Sequence, residues 1–91
     1  MSQALLQLRN IGPKTAEWLL RVDINGPESL RNLGAIAAYE RLLDAGYPEN
    51  LNCLWALEGA IQDRDFLDIA RHERERLLTE LAAQREWHQI E

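Results

Sequence analysis

Leu8-Arg9-Asn10-Ile11-Gly12-Pro13-Lys14-Thr15-Ala16 is the stretch on which the fold turns. Leu5 and Leu8 lead into it, and Ala16, Leu19 and Leu20 follow, so it joins two segments of helical apolar spacing. Gly12 permits backbone angles closed to other residues. Pro13 suits the first position of a helix, where no N–H partner is needed. The stretch predicts helix, tight hairpin, helix, and a branched residue in place of Gly12 should resist the turn. There, free N–H groups and the positive end of the second helix point outward beside Lys14, a combination that can hold a phosphate oxygen.

Before this corner, Ser2 can cap a short helix over Gln3 to Arg9. After it, a helix runs from Pro13 to Val22, with Ala16, Leu19 and Leu20 inward and Trp18 on the flank. Pro27 opens a short helix that Gly34 stops, and Ala35 to Ala45 is the next, closed by Gly46. Arg9-Asn10-Ile11-Gly12 recurs as Arg31-Asn32-Leu33-Gly34, with Ala16 and Ala38 four residues past each glycine. Gly and Ala one turn apart allow close helix approach, so the echo predicts two hairpins packed as a pseudo-symmetric pair. The second copy has Ala35 and Ile36 where the first has Pro13 and Lys14.

Leu51 to Ile61 is apolar over much of its circumference, which predicts a central helix, with Asn52 as its simplest cap. Phe66, Leu67 and Ile69 pack the approach to a last helix from Ala70 to Trp87, with Asp68 as candidate cap and Leu77, Leu78 and Leu81 as its buried stripe. Arg71 with Glu75 and Arg76 with Glu80 are four-apart ion pairs on its wet faces. No segment alternates for long enough to propose a strand. The fold class is all-α with five to six short helices, and residues 1–91 read as one domain.

Composition narrows function. No long apolar run suggests a membrane span, and the N-terminus lacks the pattern of a signal peptide. The single cysteine, Cys53, excludes an internal disulfide and fits a reducing cytoplasm. Net charge is −5, which argues against nucleic acid. Residues 1–36 nevertheless balance at +1, through Arg9, Lys14, Arg21 and Arg31 against Glu17, Asp23 and Glu28. The first corner is therefore the part of the chain where phosphate is not repelled.

The two hairpins with Gly12-Pro13-Lys14 resemble the helix-hairpin-helix class of nucleic-acid-binding modules. A more specific likeness spans nearly the whole chain. Leu8 to Lys14, Leu30-Arg31-Asn32-Leu33-Gly34-Ala35, Ala38-Tyr39, and Leu51-Asn52-Cys53-Leu54-Trp55-Ala56-Leu57-Glu58-Gly59-Ala60, in that order, resemble the C-terminal domain of the TfoX (Sxy) family. The resemblance implies a tandem helix-hairpin-helix-like (SAM/HhH-type) bundle. It also implies a bacterial regulator linked to natural competence that works with a cyclic-AMP-dependent transcription activator. Larger members of that family carry a separate N-terminal domain, which these 91 residues do not include. Catalytic residues are not implied.

The candidate nucleic-acid-binding residues are Arg9, Asn10, Gly12, Lys14 and Arg31. Against that stands a plain interhelix turn with a solvated Lys14, and surface ion pairs or carbonyl caps for Arg9 and Arg31. Asp63, Asp65 and Asp68 lack the glycine and distal glutamate of a calcium loop, so capping and solvation are expected of them and no metal or cofactor is. Cys53 reads as a small core residue, His72 and His88 as solvent-facing, and Trp87 as a partner contact or a helix end folded back on the domain. No positioned acid, base and nucleophile is legible, and no small-molecule substrate is expected. The expectation is a non-enzymatic regulatory domain with a protein partner in transcription, and weak sequence-nonspecific DNA binding through the first corner as the alternative.

Overall fold

Local signals account for most helix boundaries. The computed structural model describes residues 3–90, with side chains described for 4–85. Along them run α1 (Gln3–Leu6), α2 (Pro13–Arg21), α3 (Pro27–Leu33), α4 (Ala35–Asp44), α5 (Leu51–Gln62), α6 (Phe66–His72) and α7 (Arg74–Ile90). Pro13 and Pro27 each open a helix, as their fixed φ and missing N–H favour. Gly46 (φ 95°) closes the turn after α4, and the Tyr47 N–H reaches back to the Leu42 carbonyl at 3.0 Å. The all-α reading holds: no strand occurs among the described residues, and seven helices stand where five to six were expected.

The extra helix comes from a break near the C-terminus. Asp65, not Asp68, caps α6, accepting from the Leu67 N–H at 3.3 Å. The helix then interrupts at Glu73 (φ −119°, ψ 1°), and α7 restarts at Arg74. Arg71 and Glu75, expected one turn apart on a single helix, therefore fall on either side of the break. Arg76 and Glu80 do pair, at 2.8 Å. Asn50 caps α5, and Asn52, the expected cap, is instead the donor to it at 3.0 Å. α1 is shorter than expected, ending at Leu6 in tight i to i−3 bonds from Gln7 and Leu8. The cap expected of Ser2 and the side chains of Trp87 and His88 lie outside the described residues.

The core forms around α5, which packs against α3, α4 and α6. Leu54 and Leu57 are fully buried there, together with Leu5 of α1, Leu19 of α2, Leu30 of α3, Ile69 of α6 and Leu77 of α7. Complete removal of such side chains from water is the main favourable term available to a domain of this size. Polar ties orient the outer helices: Arg41 donates to the Val22 carbonyl at 3.1 Å, and the buried Tyr39 hydroxyl accepts from the Asn50 N–H at 3.0 Å.

The repeated tetrapeptide makes two different corners. In both copies the glycine carbonyl takes the first intrahelical bond from the alanine four residues on, Ala16 to Gly12 at 2.9 Å and Ala38 to Gly34 at 3.0 Å. There the equivalence stops. Gly12 is extended (φ −93°, ψ 179°), a conformation any residue adopts, and a Cβ added to it would meet nothing. A branched residue is accommodated there, contrary to expectation. The left-handed residue of the first corner is Asn10 (φ 73°), whereas Asn32 lies inside α3. In the second corner Gly34 (φ 87°, ψ 158°) itself takes the unusual angles, in a region open essentially to glycine. A Cβ at Gly34 would also meet nothing, so neither glycine serves close helix approach. Close approach occurs instead at Gly59 on α5, and to loops, not to a helix: a Cβ there would collide with the Arg64 carbonyl oxygen and the Asn10 Nδ2.

Candidate partner groove at the first corner

Asn10 is the hinge pin of the site. Its Nδ2 donates to the Arg64 carbonyl at 2.8 Å, and its Oδ1 accepts from the Phe66 N–H at 3.2 Å. Asparagine suits this position because it tolerates left-handed backbone while offering a donor and an acceptor. The two bonds tie the first corner to the loop between α5 and α6. Arg9 adds a longer contact to that loop, donating to the Asp63 carbonyl at 3.4 Å.

The tied loop is held from its far side by charge. The Arg64 guanidinium donates to Asp68 and to Glu73, both at 2.8 Å, and to the Gln62 side-chain carbonyl at 2.7 Å. Arg76 continues the network to Glu73 at 2.9 Å, Glu80 at 2.8 Å and Glu58 at 3.4 Å. Hydrogen bonding to Arg64 holds the Asp68 carboxyl below its usual range, and bonds to Arg64 and then Arg76 do the same for Glu73. The candidate acidic cluster is thereby assigned: Asp65 caps α6, Asp68 pairs with Arg64, and Asp63 (φ 56°) ends α5.

Docking the corner on this loop creates a groove of about 310 Å³ between the start of α2 and the start of α5, with Phe66 at its edge. Lys14 and Thr15 line it from the first turn of α2, which takes no side-chain cap. The Lys14 ammonium stands 5.2 Å from the ring centroid of Trp18, within cation–π range. Trp18 in turn stacks on Tyr47, with ring centroids 4.7 Å apart and planes inclined by 29°. Asn52 and Cys53 supply the α5 wall. Burial pushes the Cys53 thiol up to about 11, so it is protonated at neutral pH.

Of the residues singled out from sequence, Asn10 and Lys14 share this groove, while Arg9, Gly12 and Arg31 are not among its lining. Gly12 starts α2, and Arg31 lies exposed in the last turn of α3, where a cation complements the helix dipole. Sequence reasoning missed Thr15, Asn52 and Phe66 as groove residues, and the Trp18–Tyr47 stack. Only the aromatic character of Trp18 on a helix flank hinted at them.

The assembled architecture is all-helical around one apolar core. The TfoX C-terminal domain family matches residues 1–81, and the chain belongs to that family. The fold is also similar to the crystal structure of an uncharacterized protein from Listeria monocytogenes, with a TM-score of 0.78 and 25% identity, covering 89% of this chain and 92% of that one. No curated protein matches the sequence. Among the described residues no helix is long and apolar enough to cross a membrane.

Proposed function

We propose that residues 1–91 form a single non-enzymatic domain that acts in the cytoplasm through a protein partner in bacterial transcription regulation. The groove at Lys14, Trp18 and Phe66 is its contact face. The observation that carries this reading is a half-buried aromatic surface, Trp18 and Phe66, beside a polar rim on an otherwise acidic domain. Aromatic anchors with polar rims are the usual composition of protein interfaces. The non-enzymatic part is supported by the protonated Cys53 thiol and by the carboxylates of the α5–α6 loop, which are engaged as caps or ion pairs. The single-domain part is supported by one continuous apolar cluster running from Leu5 to Leu81.

A second reading, sequence-nonspecific DNA binding at the first corner, is favoured by Lys14 beside the uncapped start of α2 and by the exposed Arg9. It has few cations to work with, and the chain carries a net charge of −5. Titration of a duplex at low salt tests the two. The partner reading expects no saturable binding, and crosslinks from a photoreactive residue at Asn52 to a transcription protein in cells. DNA binding that weakens in Lys14→Ala, with a salt slope shallower by about 1, would overturn it.

A further inference from the structure

We infer that the groove takes an acidic segment of the partner, with a carboxylate at Lys14 and an apolar side chain against Trp18 and Phe66. The inference rests on the protein-partner reading and names the chemistry of that partner. Charge complementarity carries it. Among the described residues no Asp or Glu lines this groove, whereas the larger cleft between α4 and α7 is lined by Glu58, Glu80 and Arg76. The cleft beside α3 has both Asp23 and Arg41 in its lining. Within a chain of net charge −5, this groove is thus a locally cationic cleft.

Its cation is available. Among the described residues no carboxylate pairs with Lys14, and Glu17, the acid one turn along α2, is taken by Arg21 at 2.8 Å. The ring face of Trp18 holds the ammonium at the groove without neutralising its charge. The apolar half is supplied by Trp18, Phe66, Ala56 and Cys53, all half-buried and open to a side chain of another molecule. A volume of about 310 Å³ accommodates side chains of a peptide. A single ammonium also matches one carboxylate better than the row of phosphates a nucleic acid presents.

The experiment is a titration of the full chain, isotopically labelled, with a blocked peptide of about a dozen residues carrying leucine, phenylalanine and glutamate. The same peptide with glutamine for glutamate, and a short duplex, are run alongside. The expected result is amide shifts at Lys14, Thr15 and Asn52 and a shift of the Trp18 indole. The glutamine peptide should bind about fivefold more weakly, the effect of one partly exposed ion pair. Lys14→Gln, an exposed change that leaves the fold intact by circular dichroism, should abolish that difference. Equal binding of the two peptides at the groove overturns the acidic specificity and leaves the protein-partner reading standing. Shifts confined to another face, or no binding of either peptide, overturn the inference. Shifts at Lys14 with the duplex and neither peptide overturn both.

Discussion

The corner at residues 7–12 and the corner at Gly34 carry the same Arg-Asn-apolar-Gly run, yet among the described residues only the first makes side-chain hydrogen bonds to a distant loop. At the second corner the backbone reverses on one glycine, and α3 and α4 meet almost end to end. At the first, the positive φ moves two residues earlier, to Asn10, because its amide group is fixed between the Arg64 carbonyl and the Phe66 N–H. A local repeat therefore specifies where each following helix starts and leaves the shape of the turn to whatever packs beside it. The groove, and with it the proposed function, exists at the corner that makes the long-range tie.

Breaking that tie from the far side should have the largest effect. Gly59→Val places carbon where the Arg64 carbonyl and the Asn10 amide now sit, and should lower stability by about 3 kcal/mol in denaturant unfolding. Next come the glycines of the two corners. Gly34→Ala should cost about 2 kcal/mol, since its angles suit glycine alone. Gly12→Ser, in extended backbone at a helix N-cap, should fall within about 0.5 kcal/mol of wild type or stabilise slightly. Equal losses at the two glycines would restore the symmetric pair. The asparagines give a sharper contrast at somewhat smaller amplitude. Asn10→Ala should cost about 1.5 kcal/mol and Asn32→Ala close to nothing, because only Asn10 loses bonds to a distant loop.

The smallest effect concerns acid. Asp68 and Glu73 are held below their ordinary pKa by Arg64. Groups depressed in the folded state contribute stability that is present above the ordinary carboxylate range, near pH 4, and lost as pH falls through their lowered values. The amide-exchange protection factors of Arg64 and Phe66, each measured against the intrinsic rate at the same pH, should therefore fall on acidification before those around Gly34 do, and Glu73→Gln should reduce that difference.

Much of this architecture was legible from residues alone. Pro13, Pro27 and Gly46 mark boundaries by the backbone angles they permit, and the apolar girth of α5 marked it as central. The split between α6 and α7 was not, because Glu73 looks like any other helix former until Arg64 and Arg76 are seen at its carboxylate. In the candidate site, Lys14 and Asn10 stood out by type and position. Their role did not, since Asn10 finds its partners 54 and 56 residues away and Trp18 finds Tyr47 across two intervening helices.

By itself, then, the sequence determined the helical class, most helix boundaries and the apolar faces, since these depend on angles and spacings within a few neighbouring residues. Only the tertiary structure decided which residue of each corner bends, where the last helix breaks and that a cationic aromatic groove opens beside Lys14. Those outcomes depend on hydrogen bonds and ring contacts between segments far apart in the chain, and no local pattern encodes which distant group will arrive.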